Sequence, residues 1–461
     1  MKAIYYYIIL VLYLISYPLY TQNVTVNSIS LSGNKQSRAS IIYRELTFAT
    51  GDTLPSADFR RQLEISRQNI FNTLLFNYVY VSDTVRDHGA VDVYIKVEER
   101  WYIWPVVDLV FEDRNISTWI RHPDWSRFSL GAGVNIENMR GLNENMNINA
   151  RIGYQRGLSF SYSDISLDKN RRHLLGLSGG YNRLHNLAYM TENNQPVYVT
   201  TEGRAIRERY SAGIHYSFRP QIRERQTARL SYEHVTIDDT LLHLNPDYWG
   251  STQTQRHTLN ARYSYASDYR DSYAYPLSGT LWKITASAVA ALDGHLLSGD
   301  LYPEIATYWP LSRRWFYAGS LGAKLSISNC EAYIAKRALG YDNYYLRGYE
   351  DYVMDGEYFV LFKNTLRFLV MPTQTYEIKW LSTLDKFNKI HFTIYANLFV
   401  DCGYSYNRHA TRHNDLQNLF LYSGGGGFDL VTYYDIVLRV DYSINRKREG
   451  GFYITLITPF F

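Results

Sequence analysis

From residue 101 to the C-terminus, apolar and polar side chains alternate with a period of two, in runs of about ten residues separated by turn-forming stretches. In Lys389 to Asp401, Ile390, Phe392, Ile394, Ala396, Leu398 and Val400 fall on one face. His391, Thr393, Tyr395, Asn397, Phe399 and Asp401 fall on the other. Leu438, Val440 and Tyr442 alternate with Arg439, Asp441 and Ser443, and the stretches Phe128 to Glu137 and Asn145 to Ile152 repeat the pattern. A soluble sandwich alternates as well. Here the polar face carries Arg, Asp, Glu and Lys in mid-strand among small Gly and Ser, which suits a water-filled lumen with the apolar face on lipid. About sixteen such runs follow one another, the first near 102–111 and the last near 451–460, an even number as bacterial barrels require. Short connections such as Met139 to Leu142 interleave with long ones at 182–207, 238–254 and 327–356. With a periplasmic N-terminus, the short ones fall inside and the long ones outside. Trp315 and Tyr317 open one strand where an interfacial girdle would lie. The pattern predicts a mainly β protein: a transmembrane antiparallel β-barrel over 101–461.

The first hundred residues read differently. Met1 to Gln22 has Lys2, an apolar stretch from Ala3 to Ile15, a break at Pro18 and a switch to polar Thr21 and Gln22. This reads as a signal peptide cleaved near Thr21, with an N-terminal membrane anchor as the rival. Residues 23–100 predict a small α+β (βααββ) domain. Val24, Val26, Ile29 and Leu31 make a strand that ends in a Gly33-Asn34 turn, and a helix runs from Ser37 to Leu46. After a loop from Gly51 to Pro55, Ser56 is placed to cap a second helix, with Phe59, Leu63, Ile70 and Leu74 along one stripe and Ser66 as its polar interruption. Two strands close the domain, around Tyr78 to Ser82 and Val91 to Lys96, joined through His88-Gly89.

Composition narrows the function classes. With 48 basic and 44 acidic residues the net charge is +4, and the basic residues are scattered, which argues against nucleic acid as a partner. The chain is 46% hydrophobic and 20% charged with a mean hydropathy of −0.31, so it is neither disordered nor a helical membrane protein. No later stretch approaches ~18 continuous apolar residues. Tyrosine is the outlier: 44 Tyr against 29 Gly, in a side-chain class that favours strands and membrane interfaces. Two cysteines exclude a disulfide scaffold and a four-cysteine zinc site. Cys330 falls in a long connection while alternation turns Cys402 toward lipid, which disfavours their pairing. There is no H-E-x-x-H, no G-x-S-x-G elbow and no Gly-rich phosphate loop, so the expectation is a non-enzyme with no cofactor and no metal. Gly424 to Gly427 leads into a strand and reads as close packing on a barrel wall.

Particular residues carry a family likeness. Ile29 to Asn34, Ile42-Tyr43-Arg44-Glu45 and Phe76-Asn77-Tyr78-Val79-Tyr80-Val81 make the N-terminal domain resemble a POTRA domain. In the barrel, Leu346-Arg347-Gly348-Tyr349 is similar to the [V/I/L]-R-G-[F/Y] loop of the BamA/TamA family, and Phe399-Val400-Asp401-Cys402-Gly403 to its F-x-D-x-G strand. Asp268-Tyr269-Arg270-Asp271 with Pro276 and Gly279 resembles the family's turn between strands eight and nine, and Glu137 to Gly141 its early Asn-x-x-Gly hairpin. The likeness spans residue 23 to the C-terminus and implies a loop folded back into the lumen. Arg347 would pair with Asp401 there, Gly348 would allow close approach and Tyr349 would pack on the wall, with Gly403 on the facing strand. Where the family often has Glu on strand twelve this chain has Thr365, leaving Asp401 as the main anion and Glu357 as a helper. A seam is expected where the first and last strands meet, at Pro105, Val107, Pro459 and Phe461. Each proline removes a ladder donor, or merely marks a strand end.

The resemblance implies an outer-membrane assembly or translocation factor with its N-terminal domain in the periplasm. Its client, an unfolded outer-membrane or secreted protein, would be received by strand addition, or the domain would serve as a rigid spacer. Outer-membrane lipid and accessory lipoproteins are the other expected partners. The alternatives are a dedicated exporter or lipid-handling relative, and a passive porin.

Overall fold

The computed structural model describes residues 23–111, 128–201, 203–293, 296–327, 331–377, 389–432, 434 and 436–457. The expected leader over 1–22 lies outside them, as do Cys330, Pro459 and Phe461. The chain divides into two compact units. One holds the residues up to Lys35 and Ala39–Glu99, the other Gln36–Arg38 and everything from Arg100.

The first unit contains β1 (Asn23–Ser32), α1 (Ala39–Tyr43), β2 (Thr53–Pro55), α2 (Ser56–Phe71), β3 (Phe76–Val85) and β4 (Ala90–Glu99). The sheet order is β2-β1-β4-β3, with β1 parallel to β4 and the other pairs antiparallel. Val26, Ile41, Ile42, Ile70, Phe76, Val91, Val93 and Ile95 are each at most 1% exposed. Full burial of such side chains is worth roughly 1.5–3 kcal/mol apiece, which is what holds a domain this small together. Gly33 makes the expected turn at φ +90, where a Cβ would stand 1.9 Å from the Val97 carbonyl oxygen. Ser66 sits on the buried face of α2, and its hydroxyl accepts the Thr47 N–H at 3.0 Å, so the polar interruption is satisfied.

Four local expectations need correction. The helix expected from Ser37 to Leu46 covers only Ala39–Tyr43, because the chain tightens into three-residue turns at Glu45 and Leu46. Thr53–Pro55, expected as loop, adds a short strand to β1. Ser56 does not cap α2: Pro55 holds the cap position with φ −56 and ψ 136, and Ser56 is the first helical residue. Leu74 leaves the stripe, since the helix ends at Phe71 and Leu74 is left-handed at φ 62. Leu75 is the buried residue instead.

The second unit is one antiparallel sheet of 16 strands. Its first half is β5 (Ile103–Phe111), β6 (Phe128–Met139), β7 (Glu144–Gly153), β8 (Arg156–Ser166) and β9 (His173–Leu184). A separate hairpin, β10 (Asn186–Glu192) and β11 (Gln195–Thr200), interrupts it before β12 (Arg207–Phe218), β13 (Glu224–Ile237) and β14 (Gln255–Asp268). The second half is β15 (Gly279–Ala291), β16 (Leu296–Pro310), β17 (Trp315–Ser326) and β18 (Tyr358–Glu377), followed by β19 (Lys389–Tyr406), β20 (Phe420–Thr432), β21 (Val437–Asn445) and β22 (Gly450–Ile457). Each strand pairs with the next, β9 pairing with β12 across the hairpin.

Alternation sorts the faces as the period-two pattern requires. On β19, Thr393, Tyr395, Asn397, Phe399 and Asp401 are buried, while Leu398 and Val400 are each 62% exposed. Apolar side chains on the outer face therefore meet the solvent of the barrel, which is lipid.

The long connections β9–β12, β13–β14 and β17–β18, at one end of the sheet, pack into a cap. Tyr248 and Trp249 from the β13–β14 connection join Ile206 and Leu241, the latter on the short helix α3 (Asp239–Leu244), in one apolar cluster. The β10–β11 hairpin turns through Asn193 and Asn194, both at positive φ, and its tip is keyed into two neighbours. Asn194 donates from Nδ2 to Asp415 (2.6 Å), accepts from the Leu416 N–H (3.1 Å), and its carbonyl accepts the Val353 N–H (2.8 Å). The long connection expected over 182–207 thus holds a hairpin of its own, whose alternating stretches are short enough to read as connection.

Candidate functional site

The β17–β18 connection does not stay at the rim. Its apolar residues Leu339, Leu346, Tyr349 and Met354 are at most 1% exposed, clustered with Phe359, Leu361, Leu416 and Leu421 of the surrounding loops and wall. That packing carries Arg347 into the lumen. There Nε and Nη2 each donate to one Asp401 carboxylate oxygen at 2.7 Å, a bidentate pair with Asp401 wholly buried. Nη2 also donates to the Thr365 hydroxyl at 3.0 Å, so the position lacking the expected Glu still supplies an acceptor. The guanidinium carbon stands 3.7 Å from the centroid of Phe399, one pleat along β19 from Asp401. Charge pairing, a neutral acceptor and a ring face thus hold one side chain, and a bidentate fork fixes its orientation as well as its position.

The neighbours of Arg347 do what the motif implied. Gly348 has φ +85 and lies so close to β21 that a Cβ would meet the Ser443 hydroxyl at 3.1 Å; its carbonyl accepts from Asn445 Nδ2 at 2.9 Å. Tyr349 donates from its hydroxyl to the Tyr422 carbonyl and accepts the Arg446 N–H, both at 3.1 Å. Gly403 leaves room for Leu346, whose Cδ1 would lie 2.9 Å from an added Cβ. Glu357 is not part of this site. It stands just before β18, at the cap end, where its carboxylate accepts the Arg408 N–H at 3.0 Å, while Thr365 lies eight residues further along the strand direction. Distance along the extended chain excludes it.

Contacts that sequence reasoning did not specify complete the arrangement. Phe399 was visible in the motif but was read only as a lumen-facing residue. Gly425 makes space for its ring, since an added Cβ would sit 2.7 Å from Phe399 Cζ. A second contact pins the β14–β15 turn at the opposite end. Tyr275, 6% exposed, donates to Asp429 at 2.6 Å, and Asp429 also receives Arg439 Nε at 2.7 Å. Asn397 Nδ2 bridges Asp429 and Asp441 at 3.1 Å each, and Arg367 donates to the Pro276 carbonyl at 2.7 Å. The turn itself is built by Asp271, whose Oδ1 accepts the N–H groups of Leu277 and Ser278, and by Arg270 on Asp268 at 2.6 Å. Only the Asp-Tyr-Arg-Asp motif signalled it. The tyrosine between that motif and Pro276 carried no sign of its partner 154 residues away.

At the expected seam, Pro105 is the third residue of β5, opposite Val134, and Val107 is 72% exposed. The start of the first strand packs against the turn before β21. The Trp101 N–H donates to the Tyr434 hydroxyl at 3.1 Å, and Trp104 meets the Tyr434 ring edge-on at 4.9 Å. This brings β5 beside the last strands of the sheet. Cys402 is a free, half-buried thiol.

Comparison with known proteins agrees with this architecture. Residues 138–353 match the Omp85 superfamily domain, and residues 24–100 match the POTRA surface antigen variable number repeat. Among solved structures the fold is similar to BamA from Haemophilus ducreyi lacking POTRA domains 1–3, with 15% identity and a TM-score of 0.51 over 94% of this chain and 83% of that one. It is also similar to CdiB from Escherichia coli, with 12% identity and a TM-score of 0.53 over 95% of this chain and 75% of that one. No curated protein sequence matches. With a POTRA domain ahead of a 16-stranded barrel whose loop carries the Arg347 motif, this chain belongs to the BamA/TamA type of the Omp85 superfamily, barrels of the outer membrane that act in protein insertion or translocation.

Proposed function

We propose that this protein receives an unfolded outer-membrane or secreted client by strand addition and handles it at the barrel seam, without any enzymatic step. The observation that carries the reading is the state of the sheet ends. Ladder pairing runs unbroken from β5 to β22, and among the described residues no backbone pairing joins those two strands. On β22 the outward Phe452 and Ile454 are 77% and 74% exposed. An edge with apolar outward side chains is what a client strand can extend, since main-chain pairing supplies affinity and the apolar face suits lipid. Burial of the client's own apolar strand faces would drive the process. In the first unit β3 is the sheet's edge strand, and Tyr80 and Val85 on it are exposed, which supports a docking role for an N-terminal domain in the periplasm. Outer-membrane lipid borders the seam, and accessory lipoproteins are the remaining partners of this reading.

A photo-crosslinking residue at Val107 in living cells tests it. Capture of unfolded outer-membrane proteins is the expected result, and their range separates a general insertase from a dedicated one. Capture of β22 or lipid alone would overturn the seam reading. The rival, export through the lumen, gains from the extent to which one loop fills that lumen: a passage would open if the loop moved. Substitution of Arg347 should then raise the conductance of the purified protein. A large steady current indifferent to Arg347 would instead mark a passive pore.

A further inference from the structure

Between the two lumen contacts lies a cavity of about 140 Å³ that neither of them uses. Four cationic side chains line it, Arg347, Lys363, Arg367 and Arg439, and no carboxylate does. The balancing acids stand behind the cations: Asp401 takes Arg347 from the β19 wall, and Asp429 takes Arg439 from β20. Two of the four have no acid of their own. Lys363 makes no ion pair among the described residues, and its ammonium lies 4.2 Å from the centroid of the Tyr345 ring. Arg367 is 8% exposed, donates from Nη1 to a carbonyl, and its buried Nε has no hydrogen-bond partner. Cations without an acid of their own and a buried donor without a partner, gathered around one space, are costly unless something there satisfies them.

We propose that this cavity is a binding site for a small tetrahedral oxyanion, a phosphate or sulfate group. The donor set favours an oxyanion over a halide. The Lys363 ammonium and the Arg367 guanidinium reach it from β18, beside those of Arg439 on β21 and Arg347 on the folded-in loop, whose Nε–Nη2 edges are held by Asp429 and Asp401, and the hydroxyls of Tyr308 and Ser320 add donors from β16 and β17. At about 30 Å³ per water molecule, the volume matches one such group with a little water beside it. A larger cavity of about 600 Å³ shares Ser320 and Lys363 with it, which gives the anion a route through the lumen. The occupant is either free inorganic anion or the phosphate of a lipid headgroup. In both cases it would tie the loop-borne Arg347 to strands β18 and β21, adding a link between the folded-in loop and the wall.

The test uses the full-length protein purified in phosphate-free detergent buffer, with inorganic phosphate titrated by calorimetry and sulfate as competitor. Saturable binding is expected, weakened at least tenfold by Lys363→Gln and abolished by Ser320→Asp, which places a carboxylate in the cavity without removing a cation. Heat-modifiable gel mobility reports whether each variant is folded. Phosphorus analysis of the purified protein separates the sources. Phosphorus extractable into organic solvent, lost in Lys363→Gln, identifies a headgroup, and phosphate then binds only after delipidation. Absence of bound phosphorus with binding of added phosphate identifies the free ion. No saturable binding to delipidated protein, or equal binding by wild type and both variants, overturns the proposal.

Discussion

Two connections reach into this barrel from opposite ends, and each ends on a buried aspartate of the wall. The β17–β18 connection brings Arg347 to Asp401, and the β14–β15 turn brings Tyr275 to Asp429. Although both are short hydrogen bonds in a buried setting, their energetics differ. The wall beside Asp401 offers only the Lys363 ammonium, opposite it on β18 and not in an ion pair with it among the described residues, so the loop itself supplies the paired countercharge. Asp429 already has Arg439 from the next strand, and the tyrosine adds one neutral donor to a compensated carboxylate. Removing the first contact leaves a buried carboxylate without its ion-pair partner, whereas removing the second leaves an ion pair short of one bond. One connection is therefore held by electrostatic necessity, and the other by packing against Tyr395 with a hydrogen bond added.

The largest expected effect comes from Arg347→Met, which strands Asp401. A loss of ~3–5 kcal/mol is expected for a broken buried pair. Thermal unfolding of the detergent-solubilised barrel measures it, and limited proteolysis should show new cleavage within 331–357. Pairing the change with Asp401→Asn should restore much of the loss. If the double variant is no better than the single one, the charge argument fails and packing alone holds the loop.

Tyr275→Phe should cost far less, on the order of 1 kcal/mol, because only a neutral donor is lost and the ring still packs, tilted, at 4.9 Å on Tyr395. A loss as large as that of Arg347→Met would erase the distinction between the two contacts. Hydrogen exchange over 269–278 should rise slightly while the β17–β18 connection stays protected.

A third buried aspartate, in the N-terminal domain, sharpens the contrast at the small end. Asp92 accepts from Ser28 Oγ at 2.6 Å, from Asn27 Nδ2 at 2.8 Å and from Arg86 Nε. These bonds, the Ser28 hydroxyl first, hold its carboxyl down at about 2, below the ordinary 3.8. The contribution is therefore complete above pH 3.8 and disappears as the pH falls through 2. Wild type and Asp92→Asn should differ in exchange protection of β1 and β4 at pH 5, and that difference should shrink toward pH 2. A gap that stays constant with pH would show that the amide, not the charge, is what the site recognises.

How far the chain could be read in advance depended on whether the information was local. The strands were legible because a wall between water and lipid imposes a period of two on each strand separately. The predicted and observed starts agree within a residue or two at the first and last strands, β5 and β22. Arg347 and Asp401 were legible only as motif residues, since periodicity shows Asp401 facing inward but not which loop comes to meet it. The stacking of Arg347 on Phe399, with Gly425 making room for the ring, was not legible for a related reason. A lumen-facing Phe is ordinary until a guanidinium is laid on it, and a lumen-facing Gly until the ring beside it is seen.

The sequence by itself determined the alternating strands, their antiparallel succession and the small α+β domain ahead of them, because each follows from side-chain periodicity and turn chemistry within a few residues. Only the tertiary structure decided that the β10–β11 hairpin locks into two other loops, that Glu357 stays out of the lumen, and that four cations gather around a cavity without an acid. Those depend on sheet curvature and loop packing, which bring together residues tens to hundreds of positions apart, where no local pattern can record them.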